Sequence, residues 1–256
     1  MSTTSTTSTT SESSGTRRVA LVTGGSGGIG RAVVGRLAAD GYAVAVHYAG
    51  NQARADEVVA EVRASGGQAI AVGGDVANET AMAAAFDAAE AAFGGVDVVV
   101  NTAGIMLLGP VATFDLADLD RMHRTNIRGT FVVAQLAANR LRSGGALINF
   151  STSVVRAQFP AYAAYVASKA AVEGMTLILA RELRGKDITV NVVAPGPTAT
   201  PLFLNGKDEQ TIQNLANAVP LERLGQPEDI AETVAFLAGP ARWVNGQVIY
   251  TNGGLA

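Results

Sequence analysis

The chain contains no cysteine, and only two of its 256 residues are histidine. The lack of thiols excludes disulfides, thiolate metal sites and a cysteine nucleophile. His47 and His123 lie far apart in the sequence, so neither a histidine-based metal site nor a Ser-His-Asp hydrolase is supported. We therefore expect no bound metal, and we interpret both histidines as ordinary packing or surface residues.

An excess of positive charge is also absent, because 19 basic and 22 acidic residues leave a net charge of -3. Nucleic acids and anionic membranes bind basic surfaces, so neither is expected as a partner. No apolar run approaches the length that spans a bilayer, and the first residues, nearly all Ser and Thr, lack the apolar core of a secretory signal. A cytoplasmic protein that acts on a small molecule is the expectation.

Two regions differ in composition. Residues 1–16 are rich in Ser and Thr and cannot bury enough apolar surface to offset the entropy of ordering, so they are predicted to form a disordered tail. Residues 17–256 are expected to form one domain, in which the proline-rich stretch near 197–220 follows a predicted strand. Such an insertion lies near the carboxyl edge of an open sheet, and we interpret it as a substrate lid.

Short apolar runs alternate with helical patterns from Arg18 onward. The predicted strands cover residues 19–22, 43–48, 69–72, 96–101, 146–150, 188–193 and 247–250. The predicted helices cover residues 29–39, 53–64, 79–93, 116–141, 162–183, 209–216 and 227–237. Nearly continuous apolar strands separated by helices are typical of a parallel sheet covered on both faces. The prediction is an α/β fold with a single Rossmann-type doubly wound parallel sheet.

A glycine-rich segment, Thr-Gly-Gly-Ser-Gly-Gly-Ile-Gly over residues 23–30, joins the first predicted strand to the first helix. Glycine lets a pyrophosphate approach the backbone, and the amides at a helix N-terminus attract it. The spacing differs from G-x-G-x-x-G, because three residues and then one separate Gly24, Gly28 and Gly30. A tight strand-to-helix connection is the alternative, but the position after the first strand favours nucleotide binding.

The second motif is the pair Tyr165 and Lys169 on a predicted helix. Residues four positions apart share one helical face. An ammonium near a phenol favours the phenolate, so we expect Lys169 to lower the pKa of Tyr165 from its usual value near about 10. That shift makes a tyrosine usable in acid/base chemistry. Without other motifs, such a pair is more often a solvated or packing pair.

These two motifs, with Asn101-Thr102-Ala103-Gly104 and Pro195-Gly196, resemble the signatures of short-chain dehydrogenases/reductases, in the order of that family. The resemblance covers nearly the whole chain after the Ser/Thr segment. Residues 151–173 and 252–254 resemble its branch of trihydroxynaphthalene reductases and 3-oxoacyl-carrier-protein reductases. The resemblance implies an NAD(P)-dependent oxidoreductase, and more narrowly an NADPH-dependent carbonyl reductase that moves a hydride between nicotinamide and a ketone or secondary alcohol, with Tyr165 as general acid/base.

The resemblance also implies the site residues. The catalytic set is Asn126, which would hold a water in a proton relay, Ser153, Tyr165 and Lys169. The cofactor-binding residues it implies are Gly24, Ser26, Gly28, Ile29, Gly30, Tyr48, Ala49, Asn51, Asp75, Val76, Asn101, Ala103, Gly104, Tyr165, Lys169, Pro195, Gly196, Thr198 and Thr200. The family motif usually reads Asn-Asn-Ala-Gly, and the departure at Thr102 keeps a group that can hydrogen-bond.

The hydroxyl that would hold the substrate carbonyl has two candidates. Counting without gaps from either neighbouring motif leads to Thr152, whereas the Ser-Val-Val context leads to Ser153. Either side chain can donate a hydrogen bond. Ser153 is favoured.

NADP is favoured over NAD as the cofactor, with NAD as the alternative. A site for NAD usually has a carboxylate at the end of the second strand, and residues 48–51 read Tyr-Ala-Gly-Asn. Arg31 and Arg54 are nearby basic residues, although Gly27 stands where many NADP-dependent relatives have a basic residue. A solvated helix charge is the other interpretation of Arg54.

Substrate and assembly are less defined. Met106, Leu107, Phe159 and Phe203 are expected to form an apolar pocket, compatible with a ketone, quinone or 3-oxoacyl group, or only to pack the lid. The resemblance implies a homotetramer or homodimer through the two long central helices.

A non-catalytic dinucleotide-sensing module would be expected to lose Tyr165 or Lys169. A nucleotide-sugar epimerase or dehydratase would need a larger domain after Pro195.

Overall fold

The computed structural model describes residues 17–256, so the disordered tail predicted for residues 1–16 lies outside the described residues. Seven strands form one sheet in the order β3-β2-β1-β4-β5-β6-β7, and every neighbouring pair is parallel. The strands are β1 (Val19–Thr23), β2 (Ala43–Tyr48), β3 (Gln68–Gly73), β4 (Val96–Asn101), β5 (Leu141–Phe150), β6 (Thr189–Pro195) and β7 (Val248–Thr251). The predicted doubly wound parallel sheet is confirmed.

Helices connect the strands and cover both faces of the sheet. They are α1 (Gly28–Ala39), α2 (Gln52–Ala64), α3 (Glu79–Phe93), α4 (Leu116–His123), α5 (Gly129–Arg140), α6 (Val154–Ala157), α7 (Ala163–Glu182), α8 (Pro201–Leu204), α9 (Glu209–Asn217) and α10 (Pro227–Ala238). The helix predicted over 116–141 is interrupted, because a π-helical turn, Arg124–Arg128, separates α4 from α5. The single-turn helices α6 and α8 were not predicted.

Two apolar layers explain why the strands are apolar along their whole length. On one face, residues such as Val22, Val44 and Ile148 pack with α1 and α10. On the other face, residues such as Leu21 and Val99 pack with α3 and α5. Successive side chains of a strand point to opposite faces, so a sheet covered on both faces buries every position of the central strands β1, β4 and β6. Moving each large aliphatic side chain from water into these layers is favourable by about 1.5–3 kcal/mol.

The strand order reverses between β1 and β4. The chain builds β1, β2 and β3 outward in one direction and then returns to place β4 on the other side of β1. Thr23 and Asn101 are paired at the carboxyl ends of these two strands. Ligands of open α/β sheets bind in the crevice at such a reversal. The binding site is therefore expected at this edge of the sheet.

One helix of the described residues, α7, is long and apolar enough to cross a membrane by length and composition, with 20 residues and a mean hydropathy of 1.3 over an 18-residue window. The expectation concerned an uninterrupted apolar run, and α7 contains Lys169 and Glu173 within its length. The helix packs against β6 and β5 and buries Tyr165, Ser168 and Lys169. Because its buried face carries polar groups directed into the protein, we interpret α7 as a helix of this fold.

Candidate active site

The turn between β1 and α1 requires glycine at defined positions. Gly24 and Gly28 have φ angles of +63° and +50°, in the left-handed region that other residues rarely adopt. A Cβ atom at Gly30 would lie 2.2 Å from the carbonyl oxygen of Gly24, so α1 begins in direct contact with the turn. The first amides of a helix lack carbonyl partners within the helix. The turn thus exposes backbone donors and excludes side chains, which suits an anionic group.

A hydrogen-bond network ties the turn to the end of β4. The Thr23 hydroxyl donates to Oδ1 of Asn101 at 2.7 Å and accepts from the Ala103 amide at 3.2 Å. The hydroxyl of Thr102 donates to the carbonyl oxygen of Thr23. The departure from Asn at position 102 therefore retains a hydrogen bond to the first strand, as expected from the sequence.

Asn126 lies in the π-helical turn, and its side-chain amide is fully buried. Its Oδ1 accepts from the Ile105 amide at 2.9 Å, and its Nδ2 donates to the Ile105 carbonyl at 2.9 Å and to Oγ of Ser168 at 3.0 Å. The hydroxyl of Ser168 donates in turn to the carbonyl of Tyr165 at 2.7 Å. Asn126 therefore links the loop after β4 to α7, and its role in a water relay stays a prediction.

Tyr165 and Lys169 are both buried on the face of α7 that meets the sheet. Nζ of Lys169 donates to the carbonyl of Phe150 at 2.9 Å and lies 6.0 Å from the centroid of the Tyr165 ring. Burial raises the pKa of Tyr165, and nearby Tyr162 raises it further. Burial also lowers the pKa of Lys169 to about 8.

The expected lowering of the Tyr165 pKa by Lys169 is therefore not found. The ammonium is bonded to a carbonyl rather than to the phenol, and removal from water disfavours the phenolate. The raised pKa favours the protonated form of Tyr165 at neutral pH. In this state its hydroxyl can donate a proton to a ligand.

One cavity at the carboxyl edge of the sheet gathers many of the predicted residues. It contains about 890 Å³ of space, including its open mouth. The predicted site residues that line it are Ile29, Gly104, Ser153, Tyr165, Lys169, Pro195, Gly196, Thr198 and Thr200. The predicted residues of the glycine turn, of the β4 end and of the π-helical turn that do not line it are Gly24, Ser26, Gly28, Gly30, Asn101, Ala103 and Asn126. Those at the ends of β2 and β3 are also outside it: Tyr48, Ala49, Asn51, Asp75 and Val76.

Apolar side chains form much of the cavity wall. Met106, Phe159 and Phe203 line it as expected, whereas Leu107 does not. Sequence reasoning missed further wall residues, among them Tyr162, Leu202, Leu215 and Leu255. Tyr162 precedes Tyr165 by one helical turn, a spacing that could have identified it. The segment predicted as a lid supplies Leu202 and Phe203 from α8 and Leu215 from α9.

The ends of β2 and β3 form a more polar and exposed surface beside the turn. Oδ1 of Asn51 caps α2 by accepting from the Arg54 amide at 3.1 Å. Partial burial raises the pKa of Asp75, but bonds from the Ala77 amide and the Arg124 guanidinium outweigh it and hold that pKa below its usual value. Arg31 forms an exposed ion pair with Glu61.

The two candidate hydroxyls at the end of β5 differ in their contacts. Ser153 is fully buried, and its Oγ donates to the carbonyl of Ala194 at 3.2 Å. Oγ1 of Thr152 accepts from the Val154 amide at 3.3 Å. Because a hydroxyl has one hydrogen to donate, that of Ser153 is engaged with β6, whereas Thr152 retains its own. Both residues line the cavity.

Comparison with known proteins adds independent information. Residues 24–256 match the family model described as enoyl-(acyl carrier protein) reductase. A short-chain type dehydrogenase/reductase of Picea abies is 45% identical over 248 residues, which cover 93% of this chain and 92% of that protein. A chloroplastic NADPH-dependent aldehyde reductase-like protein of Arabidopsis thaliana is 41% identical, with 93% of each chain covered. A short-chain dehydrogenase from Burkholderia cenocepacia, solved in complex with NADP, is 39% identical with a TM-score of 0.87, covering 93% of this chain and 97% of that one.

Proposed function

The chain belongs to the short-chain dehydrogenase/reductase family of oxidoreductases, and we propose that it is an NADPH-dependent carbonyl reductase. Its substrate would be a ketone or aldehyde, or a secondary alcohol in the reverse direction. The observation that carries the proposal is the position of Tyr165, which is buried on α7 and lies in the wall of a largely apolar cavity beside the glycine turn.

The residues around the turn fit a nicotinamide dinucleotide. Gly24 and Gly28 leave the backbone open for phosphate groups. A Cβ at Gly104 would lie 3.2 Å from Oδ1 of Asn126 and 3.4 Å from Nζ of Lys169, so this glycine keeps space open beside the ammonium. Ile29 and residues 195–200 would hold the nicotinamide end, and Asp75 and Val76 the adenine. The nicotinamide, when bound, supplies the hydride.

In reduction, the proposed role of Tyr165 is to give its hydroxyl proton to the carbonyl oxygen. Negative charge develops on that oxygen in the transition state, so a donor held in a cavity with little water stabilises it strongly. Lys169 is 6.0 Å from the phenol ring, and its positive charge would stabilise the phenolate that remains. In oxidation the same groups would act in reverse. A dinucleotide-sensing module without activity is the alternative, and the presence of both residues argues against it.

The composition of the cavity wall favours an uncharged substrate. Among residues 17–256, Lys169 is the only cationic side chain that lines it, and no carboxylate does. Phe159 and Tyr162 form an edge-to-face pair with ring centroids 6.0 Å apart, which suits an aromatic or branched apolar group. A screen of NADPH oxidation over ketones, aldehydes, quinones, 3-oxoacyl thioesters and 2-enoyl thioesters tests the proposal. A preference for the enoyl thioesters would contradict it.

We propose Thr152 as the hydroxyl that binds the substrate carbonyl, with Ser153, which the sequence context favours, as the alternative. The hydroxyl hydrogen of Thr152 is available to a substrate, whereas Ser153 would first have to give up its hydrogen bond to the carbonyl of Ala194. This difference supports the choice of Thr152. Thr152→Ala is expected to lower kcat by about 10²-fold, the loss typical of one such donor, and Ser153→Ala by clearly less. Steady-state kinetics of both variants provide the measurement, and the reverse ranking would assign the role to Ser153.

We propose NADPH as the preferred cofactor. Residues 48–51 carry no carboxylate to repel a 2′-phosphate, and Arg54 has no ion pair among the described residues, whereas Arg31 is paired with Glu61. The specificity constant for NADPH is expected to exceed that for NADH by roughly tenfold or more, since a charge-assisted hydrogen bond contributes about 1.5–3 kcal/mol. Arg54→Ala should reduce this ratio more than Arg31→Ala. A preference of the wild-type enzyme for NADH would contradict the assignment.

We also propose that the protein forms a homotetramer or homodimer and acts in the cytoplasm. Phe131 on α5 and Ile178 on α7 are 59% and 60% exposed, and the two residues border one groove between the helices. Exposed apolar surface of this kind marks association sites. Size-exclusion chromatography with light scattering would detect the association.

A further inference from the structure

His47 occupies a position where packing alone would favour an apolar residue. It is fully buried at the end of β2. Ala45, two residues earlier and therefore on the same face of the strand, belongs to the apolar layer formed with Leu21, Val72 and Met82. A buried polar ring loses its hydration, which costs free energy unless hydrogen bonds replace it. The bonds that His47 makes therefore indicate why an imidazole is present.

Two consecutive amides of the glycine turn donate to this one residue. The Gly25 amide donates to the main-chain carbonyl of His47 at 2.9 Å, a bond that any residue could accept. The Gly24 amide donates to Nδ1 of the imidazole at 3.4 Å, a bond that depends on the side chain. Gly24 is also the residue with φ of +63°. The ring therefore holds the amide of the residue whose unusual conformation shapes the turn.

The tautomer and charge of the ring suit this role. Nδ1 can accept only when it is unprotonated, so the proton of the neutral ring is on Nε2, which has no hydrogen-bond partner among residues 17–256. Burial lowers the pKa of His47 to about 4, although the Gly74 backbone and the Asp75 carboxylate favour the protonated form. The carboxylate of Asp75 is itself paired with Arg124. Nδ1 consequently remains an acceptor over the whole neutral range.

We propose that His47 is a positioning residue for the dinucleotide, which holds the Gly24 amide inward and so keeps the phosphate-binding turn in its binding conformation. Without the acceptor, this partly buried amide would lose its hydrogen bond, and the turn would be free to change conformation. The proposal rests on the proposed binding of NADPH. It concerns the affinity for the cofactor rather than proton transfer to the carbonyl.

Three substitutions separate the hydrogen bond from simple packing. In His47→Asn the amide oxygen can take the position of Nδ1, whereas in His47→Gln the polar atoms lie one bond farther along. His47→Leu is apolar and of similar volume. His123→Leu is the control, because it removes the other histidine whose Nε2 is buried and has no partner in the part of the chain that the structure describes, at a place away from the turn. For each variant and the wild type, NADPH affinity is measured by equilibrium fluorescence titration and stability by thermal unfolding.

The wild type, His47→Asn and His123→Leu are expected to bind NADPH with dissociation constants within about threefold of one another. His47→Gln and His47→Leu are expected to bind roughly tenfold more weakly, the upper end of what one intramolecular hydrogen bond contributes. Should His47→Leu fail to fold, the comparison of His47→Asn with His47→Gln still tests the role of the hydrogen bond. Equal affinity of all folded variants for NADPH, or an equal loss of affinity in His47→Asn and His47→Gln, would overturn the proposed role of His47 and leave the proposed function intact. No NADPH binding by the wild type would instead refute the proposed function, and this proposal with it.

Discussion

Tyr165→Phe is expected to lower kcat for carbonyl reduction by about 10²–10⁴-fold, the range typical for loss of a general acid. The substitution removes only the hydroxyl, which is the group proposed to protonate the substrate. The ring continues to fill the same buried position on α7. The dissociation constant for NADPH, measured without substrate, is therefore expected to stay within a few-fold of the wild-type value.

Tyr162→Phe provides a matched control for this experiment. Tyr162 lies one helical turn before Tyr165 and lines the same cavity, and removal of its hydroxyl should change kcat by less than about fivefold. A larger loss in Tyr162→Phe than in Tyr165→Phe would transfer the proton-donor role to Tyr162. Retention of more than a tenth of kcat by Tyr165→Phe would exclude its hydroxyl as the main proton source.

Gly30→Ala is expected to abolish measurable NADPH binding and to lower the free energy of unfolding by about 1–3 kcal/mol, the usual cost of overpacking. The new Cβ would lie 2.2 Å from the carbonyl oxygen of Gly24 and 2.8 Å from Oγ1 of Thr102. The first of these contacts is with backbone, so a side-chain rotation cannot relieve it. Either α1 must move away from the turn or the turn must change conformation.

Gly35→Ala is the control for Gly30→Ala, because both glycines belong to α1 and, apart from the adjoining residues and backbone of α1 itself, no atom of residues 17–256 lies within 4 Å of a Cβ built at Gly35. Alanine there should raise the free energy of unfolding by up to about 1 kcal/mol through its helix propensity and leave NADPH binding unchanged. Urea denaturation and fluorescence titration provide the two readouts. Equal behaviour of the two variants would show that the close contact between α1 and the turn does not govern binding.

The strands could be predicted because the physical cause of their burial is visible in the residues themselves. A sheet covered on both faces needs apolar residues at every strand position, and the run from Val96 to Val100 has them at all but one. That exception, Asp97, is buried and accepts from the Val19 amide at 2.7 Å. The π-helical turn at Arg124–Arg128 could not be predicted in the same way. Its cause is tertiary, since Asn126 within it bonds to the distant Ile105 and Ser168.

The motifs of the site could be placed on their elements from the sequence, but the state of their groups could not. Periodicity places Tyr165 and Lys169 on one face of α7, yet it does not indicate that Lys169 donates to Phe150 on β5. The charge state of Tyr165 depends on the burial that this packing produces. Leu255 lines the cavity from the end of the chain, and no local pattern connects it with the site. His47 likewise meets the turn only through the pairing of β2 with β1.

Transfer of deuterium tests the central claim most directly. The wild-type enzyme is supplied with an apolar aryl ketone and with NADPH that carries deuterium at the transferable position of the nicotinamide, and the alcohol product is analysed by mass spectrometry. The account predicts an alcohol with one deuterium on the former carbonyl carbon, formed in step with NADPH consumption and nearly absent with Tyr165→Phe. Failure to form alcohol across the carbonyl panel, or an alcohol without the label, would contradict it.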